Sequence, residues 1–398
     1  MKVGVWVAGF APEDGGGYTF QADILDSLAA LAGESRHRFT ILLSGQRGAP
    51  SDHRRFGDLK VVPVPGLSAI ERAAEELYAD SWLFRRLWKR PSRIEVIARA
   101  EGAEFMWFVG PTVVRIDLPY MLVVWDLQHR LQPWFPEVSR EDTWFDRERR
   151  FAWHLRRAAA VVVGTNAGRQ EVEQLYQVPA DHIKLLPHPT PSFALRASEG
   201  DGRKILAKFD LPTGFLFYPA QFWPHKNHVN LLLAVQKLRD EEGLVIPLVC
   251  VGSDGGNHSH VERLAKTLGL AEQVRILGFV AQEDLIALYQ QALAVVYVSF
   301  FGPENLPPLE AFALGCPVIA AMVPGAEEQL GEAALLVDPR SPDEIARAIK
   351  SLQGDASLRQ TLVGRGRARA ARWTARDFVR GALSILDDFE PVRRCWDR

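Results

Sequence analysis

The sequence predicts an α/β protein with two doubly wound domains, each built on a parallel sheet. Short apolar, β-branched runs alternate with longer amphipathic segments along all 398 residues. Continuous apolar runs are typical of parallel strands buried on both faces, and apolar residues three and four apart are typical of helices. Because strands and helices alternate, and because the chain is too long for one ordinary core, we expect two Rossmann-like domains.

Strands and helices can be assigned segment by segment. The strand predictions are 3–10, 39–44, 59–64, 105–110, 120–126, 159–164, 183–187, 215–220, 247–252, 274–278, 294–299, 317–321 and 334–337. The principal helix predictions are 20–31, 143–157, 167–176, 229–239, 261–268, 283–291, 309–314, 342–352, 357–372 and 375–389. Prolines and a polar run between residues 187 and 212 have linker chemistry. We therefore divide the chain into 1–190, 191–374 and a terminal segment, 375–398.

Composition excludes several classes of protein. Hydrophobic residues make up 47% and charged residues 24%, which is typical of a folded globular chain. Lys+Arg 47 against Asp+Glu 49 leaves a net charge of -2, so nucleic acid is not an expected partner. Cys250, Cys316 and Cys395 lack metal-type spacing and are interpreted as reduced thiols. No signal peptide or membrane-spanning run is recognisable, so a cytoplasmic protein is expected.

Three strand-end loops could carry chemistry. The first, residues 14–18, holds Gly16 and Gly17 ahead of a helix, where glycine permits close approach to an anion; a plain turn is the alternative. The second, residues 219–228, holds Lys226, a point charge suited to a diphosphate, or simply a lysine in solvent. His225 and His228 lie three apart without a nearby carboxylate, so no metal site is expected there.

The third loop, residues 301–319, ends in a short helix predicted to begin near Pro308. Its amides and its dipole would again favour an anion. Glu310 is expected in the first turn of that helix. It could complement the helix dipole or accept hydroxyl hydrogens from a sugar, and the spacing alone does not choose between these roles.

The third loop also carries a family resemblance. Residues 304–317 and 323–329 resemble the donor-binding signature of glycosyltransferase family four, and the likeness continues at 278–280, 222–227, 162–176 and 15–17. Those enzymes are retaining and have the GT-B architecture, in which two Rossmann-like domains face each other across a cleft. The resemblance implies a nucleotide-diphosphate sugar as donor substrate, no further cofactor, and a last helix that crosses back to the first domain.

The resemblance also implies residue roles. Glu310 matches the glutamate on the donor ribose, and Lys226 matches the basic residue on the diphosphate. Other implied donor contacts are the amides of Asn305 and Leu306, the nucleobase segment Gly278, Phe279 and Val280, and the approaching loop at Gly16 and Gly17.

Two positions depart from the family pattern. The first motif glutamate should stand eight residues before Glu310, where this chain has Gly302. Either Glu304 serves the sugar hydroxyls from a shifted loop, or that contact is lost. An arginine often precedes the motif lysine, and the local candidate here is Gln221.

The first domain offers Asp126 and His129 at a strand end, where many relatives carry a histidine in place of Trp125. Both are candidates for the reacting sugar or the acceptor, and a turn cap is the alternative for Asp126. No Asp-x-Asp pair stands at a strand end, so a metal-independent reaction is expected, with Lys226 and loop amides stabilising the departing diphosphate.

Residues 81–99 combine several arginines and lysines with Trp82, Phe84 and Trp88. They could form an amphipathic helix whose aromatics pack into the domain, or a peripheral contact with the inner membrane surface or a lipid-diphosphate acceptor.

Together these features predict a retaining hexosyltransferase, with mannose among the candidate sugars, that acts on a carbohydrate or lipid-linked sugar acceptor. Biosynthesis of a surface polysaccharide or lipopolysaccharide is the expected setting. The alternatives are a nucleotide-sugar-binding subunit without activity and a sugar-nucleotide-processing enzyme of the same architecture.

Overall fold

The computed structural model describes residues 1–8, 15–45, 56–140, 142–198, 200 and 202–396. Within these ranges the chain forms thirteen strands, which build two sheets, and eighteen α-helices. No helix in the described ranges is long and apolar enough to cross a lipid bilayer.

The N-terminal sheet has seven parallel strands in the order β3-β2-β1-β4-β5-β6-β7. They are β1 (Lys2–Val7), β2 (Arg38–Ser44), β3 (Lys60–Val64), β4 (Phe105–Phe108), β5 (Tyr120–Val123), β6 (Ala160–Val163) and β7 (Ile183–Leu185). Val3 on β1 is paired with Phe39 on one side and Phe105 on the other. The strand order reverses between β1 and β4, and loops at such a point are where open α/β sheets bind ligands.

The C-terminal sheet has six parallel strands in the order β10-β9-β8-β11-β12-β13. They are β8 (Leu216–Pro219), β9 (Leu248–Val251), β10 (Val274–Ile276), β11 (Ala294–Tyr297), β12 (Val318–Ala321) and β13 (Ala334–Val337). The order reverses between β8 and β11. The loop that carries Lys226 follows β8, and the loop that carries Glu304 follows β11, so both lie at the reversal point.

Helices cover both sheets. They are α1 (Gly16–Leu31), α2 (Ala69–Asp80), α3 (Trp82–Leu87), α4 (Arg93–Ala100), α5 (Gln128–Leu131), α6 (Pro136–Ser139), α7 (Thr143–His154), α8 (Asn166–Tyr176), α9 (Ser192–Arg196), α10 (Gly202–Lys208), α11 (His228–Glu242), α12 (His258–Thr267), α13 (Gln282–Gln291), α14 (Leu306–Leu314), α15 (Ala326–Leu330), α16 (Pro342–Gly354), α17 (Ala356–Ala370) and α18 (Ala375–Arg393).

The last helix packs on the first domain. Phe378, Val379 and Leu386 of α18 are fully buried in the core of the N-terminal sheet. The rings of Phe378 and Phe20 are 5.3 Å apart, edge to face. Ala194 of α9, by contrast, is buried in the core of the C-terminal sheet. The chain therefore enters the second domain just after residue 190 and leaves it just before α18.

The structure contains a strand at every predicted position, with ends up to three residues shorter than expected. The prediction 3–10 extends to residues 9 and 10, which lie outside the described residues, as does Asp14. The helix predicted to begin near Pro308 begins at Leu306. Prolines are tolerated in a first turn because its amides have no intrahelical acceptor. Glu310 consequently stands beyond the first turn, which weakens its interpretation as a dipole partner.

Residues 81–99 form two helices, so a single amphipathic helix, one of the two alternatives for this segment, is not present. Proline 91 removes an amide donor and disfavours a helical residue before it, so α3 ends at Leu87 and α4 starts at Arg93. Ser92 caps the new start by accepting a hydrogen bond from the Glu95 amide at 3.3 Å.

Candidate functional site

Two helix starts meet between the domains. Gly16 is the first residue of α1, and a Cβ placed on it would lie 3.3 Å from the Cδ1 atom of Leu306, the first residue of α14. The preceding Gly15 has φ 71°, in the left-handed region that favours glycine. The first amides of α1 have no intrahelical acceptors, and neither has the Leu306 amide of α14, where Pro307 and Pro308 have no N–H to offer. These amides and the two helix dipoles point to one place, which suits an anion.

Lys226 lies in a short turn that the hydrogen bonds of Asn227 hold in place. Asn227 has φ 59°, and its Nδ2 atom donates to the carbonyl oxygens of Val298 at 2.8 Å and Pro339 at 2.7 Å. The Lys226 ammonium donates to the Tyr297 hydroxyl at 2.9 Å. These bonds hold the ammonium at the carboxyl end of β11, beside the loop that leads to α14.

The two histidines beside Lys226 are already engaged. The ring of His228 stacks on Phe222 with centroids 4.5 Å apart, and burial lowers the pKa of His228 to about 3. His225 contacts the Glu137 carboxylate of the first domain through its Nδ1 atom and its backbone amide. His225 thus joins the domains.

Glu310 is buried, with 7% of its surface exposed. Its Oε2 atom accepts a hydrogen bond from the Tyr289 hydroxyl at 2.5 Å. Burial raises the pKa of Glu310 to about 7, although the Tyr289 hydrogen bond opposes the rise. A carboxyl with a pKa near neutrality keeps acceptor capacity for hydroxyl groups.

The loop before α14 disfavours the missing motif glutamate. Gly302 has φ 134°, and a Cβ on it would lie 2.5 Å from the Oδ1 atom of Asn305. The Asn305 side chain donates to the Gly302 carbonyl at 3.0 Å. The Asn305 amide donates to the Gln329 side chain at 2.9 Å, so a donor bound through that amide would displace Gln329. The Leu306 amide, at the helix start, has no intrahelical acceptor.

Glu304 turns toward the first domain. Its Oε1 atom accepts a hydrogen bond from the His188 amide at 2.7 Å, and a side chain at Gly164 would overlap its carboxylate. Burial raises the pKa of Glu304 to about 8. Its carboxyl lines a small cavity together with Trp125, Asp126, Thr165 and Glu171. The structure therefore brings Glu304 and Asp126 together.

Asp126 carries a charge at this cavity. Burial opposes ionisation, but the Arg147 guanidinium at 2.5 Å and the Gln128 amide at 2.9 Å outweigh it and lower the pKa of Asp126. Burial and the Asp126 charge raise the pKa of Glu171 to about 7. The bond to Gln128 is the turn cap that was the alternative for Asp126, so the side chain both caps the turn and lines the cavity.

The structure corrects the prediction that His129 has a catalytic role. Its side chain is fully buried inside the first domain, where the Nε2 atom lies 3.0 Å from the Tyr176 hydroxyl. Burial lowers the pKa of His129 to about 4, and its ring packs near Phe151 and Trp144. His129 therefore has a packing role and no access to the cleft.

The predicted nucleobase segment lies after β10, at the outer end of the C-terminal sheet. Gly278 has φ 69°, and its carbonyl accepts a hydrogen bond from the Gly252 amide at 2.9 Å. Phe279 is 52% exposed and Val280 is partly buried. An exposed ring at a strand end is available for stacking, and the nucleobase contact stays a prediction.

Sequence reasoning missed the acidic contacts between domains. Glu328 of the second domain accepts hydrogen bonds from the amides of Asn166 at 2.7 Å and Ala167 at 3.1 Å, at the start of α8. The signal that could have found them is Gly164, a glycine at a strand end shortly before a helix. The same pattern was used above to predict anion sites. Here the anion is the protein's own carboxylate.

Two doubly wound parallel sheets whose strand-end loops meet across a cleft define the GT-B architecture. Residues 205–369 match the model of the family described as glycosyl transferases group 1. Over these residues, which lie in the C-terminal domain, the chain is similar to that family.

The chain is also similar to curated glycosyltransferases over about 60% of its length. The chain is 32% identical over 241 residues to the O-antigen chain mannosyltransferase B of Escherichia coli. The matched region covers 60% of this chain and 63% of that protein. It is 28% identical over 248 residues to the D-inositol 3-phosphate glycosyltransferase of Acidothermus cellulolyticus, covering 60% and 55%. The chain thus spans less than two thirds of the length of these relatives.

Solved structures share the whole fold. The Anabaena protein HepE, crystallised with UDP and glucose, superposes with a TM-score of 0.72 at 17% identity and covers 98% of this chain and 100% of its own. A glycosyltransferase from Rickettsia africae superposes with a TM-score of 0.71 at 15% identity, covering 97% and 98%. At these identities the likeness establishes the fold alone.

Proposed function

We propose that the protein is a retaining glycosyltransferase that moves a hexose from a nucleotide-diphosphate sugar to a hydroxyl acceptor. The observation that carries the proposal is the meeting of α1 and α14 at Gly16 and Leu306, with Lys226 held by Tyr297 at the end of β11, the strand that precedes α14. Two helix starts and one ammonium form a positive site for the diphosphate, which needs charge stabilisation as it departs.

The remaining roles follow from this placement. Glu310, behind the start of α14, would accept the ribose hydroxyls, and Phe279 would stack on the base. Asp126 is an ionised carboxylate on the opposite domain and would accept a hydrogen bond from the acceptor hydroxyl. With Lys226 and the helix amides neutralising the leaving group, the proposed reaction uses no metal.

The relatives support a narrower choice of sugar. The Escherichia coli relative is an O-antigen chain mannosyltransferase, so we propose mannose as the sugar and a surface polysaccharide or a lipid-linked oligosaccharide as the acceptor. A screen of GDP-, UDP-, ADP- and dTDP-sugars by thermal shift tests the donor, because a bound ligand raises the melting temperature by mass action. No shift with any of them, at concentrations up to several millimolar, would reject a nucleotide-sugar enzyme.

Turnover needs a separate test. Donor hydrolysis or transfer should be measured for the parent and for Lys226→Ala, with Lys237→Ala as the control, since Lys237 lies on the surface of α11 and pairs with Glu241 and Asp343. Loss of rate in Lys226→Ala alone supports the proposal. The anomeric configuration of the product, read by NMR, tests retention, and an inverted linkage would overturn it.

The position of Gly302 favours one second candidate. Because Gly302 stands where family relatives carry a glutamate, and its positive φ disfavours one, a subunit that binds a nucleotide sugar without turning it over is also consistent with the site. Donor-induced stabilisation combined with no hydrolysis and no transfer would identify that subunit.

A further inference from the structure

Five large apolar side chains are exposed on two consecutive helices of the first domain. Their surface, which we call the α2–α3 face, consists of Ile70, Leu77, Trp82, Leu83 and Leu87, whose exposed fractions are 80%, 52%, 66%, 51% and 73%. Single exposed apolar residues are common, but five on two consecutive helices indicate an interaction surface.

Cations border the same face. Arg86, Lys89 and Arg90 are exposed, and none of them forms an ion pair among the side chains that the structure describes, which do not include Asp80. Arg90 lies 5.3 Å over the ring of Trp88. Two carboxylates of α2 are occupied elsewhere: Glu71 pairs with Arg93 at 2.6 Å, and Glu75 pairs with Arg115 at 2.6 Å. Positive charge therefore stands beside the apolar side chains.

The inner side of α3 is fixed to the domain. Phe84 stacks on Trp88 with centroids 5.3 Å apart, and Arg85 lies 5.3 Å over the ring of Trp153 while donating to the Tyr78 carbonyl at 3.1 Å. The expectation that all the aromatics of this segment pack inward is therefore wrong for Trp82. The contacts of Phe84 and Arg85 hold α3 in place, while Trp82 stays exposed to solvent.

The α2–α3 face lies toward the amino ends of the strands. Tyr78 of α2 and Arg85 of α3 pack on Trp153, at the end of α7 and just before β6. Arg157, which also contacts Trp153, pairs with Asp117 just before β5. A surface that held this face would therefore leave the carboxyl edge of the sheet, where Asp126 lies, uncovered.

We infer that the α2–α3 face docks on a lipid bilayer with anionic headgroups. Trp82 and the leucines would enter the boundary between headgroups and acyl chains, while Arg86, Lys89 and Arg90 would meet the lipid phosphates. A second copy of the chain suits the face less well, because a two-fold contact would set like charges against each other. That the bilayer also carries the sugar acceptor rests on the proposed function; the docking itself does not.

The test is sedimentation of the full chain with vesicles of phosphatidylcholine alone or with 30 mol% phosphatidylglycerol. The charge variant is Arg86→Ser/Lys89→Ser/Arg90→Ser, and its control removes three exposed arginines elsewhere, Arg263→Ser/Arg347→Ser/Arg376→Ser. An apolar variant, Trp82→Ser/Leu87→Ser, is measured in parallel. Melting temperatures and thermal shifts with the donor sugars establish that each variant is folded.

We expect the parent to bind the anionic vesicles. Its binding should fall at least about tenfold in both face variants and stay at the parent level in the control, since each basic residue near such a surface contributes about 1 kcal/mol. Equal binding by the parent and the face variants would overturn the inference, as would no binding by the parent. A dimer in solution that the face variants dissociate would assign the face to self-association instead. Donor binding is measured separately, so failure of the proposed function remains distinguishable.

Discussion

The buried carboxyl of Glu304 should make the stability of this protein fall as the pH rises. Burial raises its pKa from the ordinary 4.5 to about 8 in the folded chain. Between those two values the folded protein holds a proton that the unfolded chain has released. The stabilising contribution is therefore complete below pH 4.5 and is lost as the pH rises to about 8.

Glu304→Gln isolates this effect. Glutamine keeps an oxygen that can accept the His188 amide hydrogen bond, and it does not titrate. One proton changes the free energy of unfolding by at most about 1.4 kcal/mol per pH unit. A shift of 1 kcal/mol moves the melting temperature of a domain of this size by about 2–4 °C, so the parent should lose up to about 3–6 °C per pH unit relative to the variant.

The assay is the melting temperature at half-unit steps from pH 5.5 to 8, for the parent, Glu304→Gln and the exposed control Glu283→Gln. Glu310 also has a raised pKa, but it is present in all three chains and cancels in the differences. We expect the variant to gain on the parent as the pH rises and the control to follow the parent. Parallel curves for parent and Glu304→Gln would refute the reasoning.

Three further predictions concern the cleft. Lys226→Ala should lower kcat/KM about 10²–10³-fold with little change in melting temperature, as expected for a group that stabilises developing charge. Steady-state kinetics measure this loss, and a much smaller loss would contradict the role. Glu310→Gln should weaken donor binding about tenfold or more in calorimetry, since hydrogen bonds to a charged group contribute about 1.5–3 kcal/mol; unchanged affinity contradicts the ribose role. Gly16→Val should abolish transfer by crowding Leu306, whereas Gly33→Val, where nothing lies within 4 Å of a new Cβ, should leave transfer intact.

Local sequence patterns predicted the architecture well. Every apolar run interpreted as a strand is a strand, because parallel strands buried on both faces leave an unmistakable composition. The loops around Gly16, Lys226 and Leu306 follow strands as predicted, and open α/β sheets bind ligands at the carboxyl ends of strands; the ligand contacts of these residues stay predictions. The helix break at residue 91 was missed, although proline is a local signal.

Contacts between domains were beyond the reach of the sequence. His129 follows a strand end, as a catalytic residue would, but its ring enters the domain interior beside Tyr176. Glu304 stands in a donor-binding motif, yet its carboxyl lies on the opposite domain, at the His188 amide. Both outcomes depend on side-chain direction and on partners far away along the chain, which spacing does not encode.

The two chain crossings between the domains are fastened to each other. The Trp373 indole donates to the Pro187 carbonyl at 2.7 Å, and the Thr190 amide donates to the Trp373 carbonyl at 3.2 Å. The segments that lead into and out of the second domain therefore form one two-stranded hinge, because the hydrogen bonds between them make them move together. Opening of the cleft is then a rotation about this one place, and it must release the contacts of Glu304 and Glu328, which reach across from the second domain, together with the contact of His225 with Glu137.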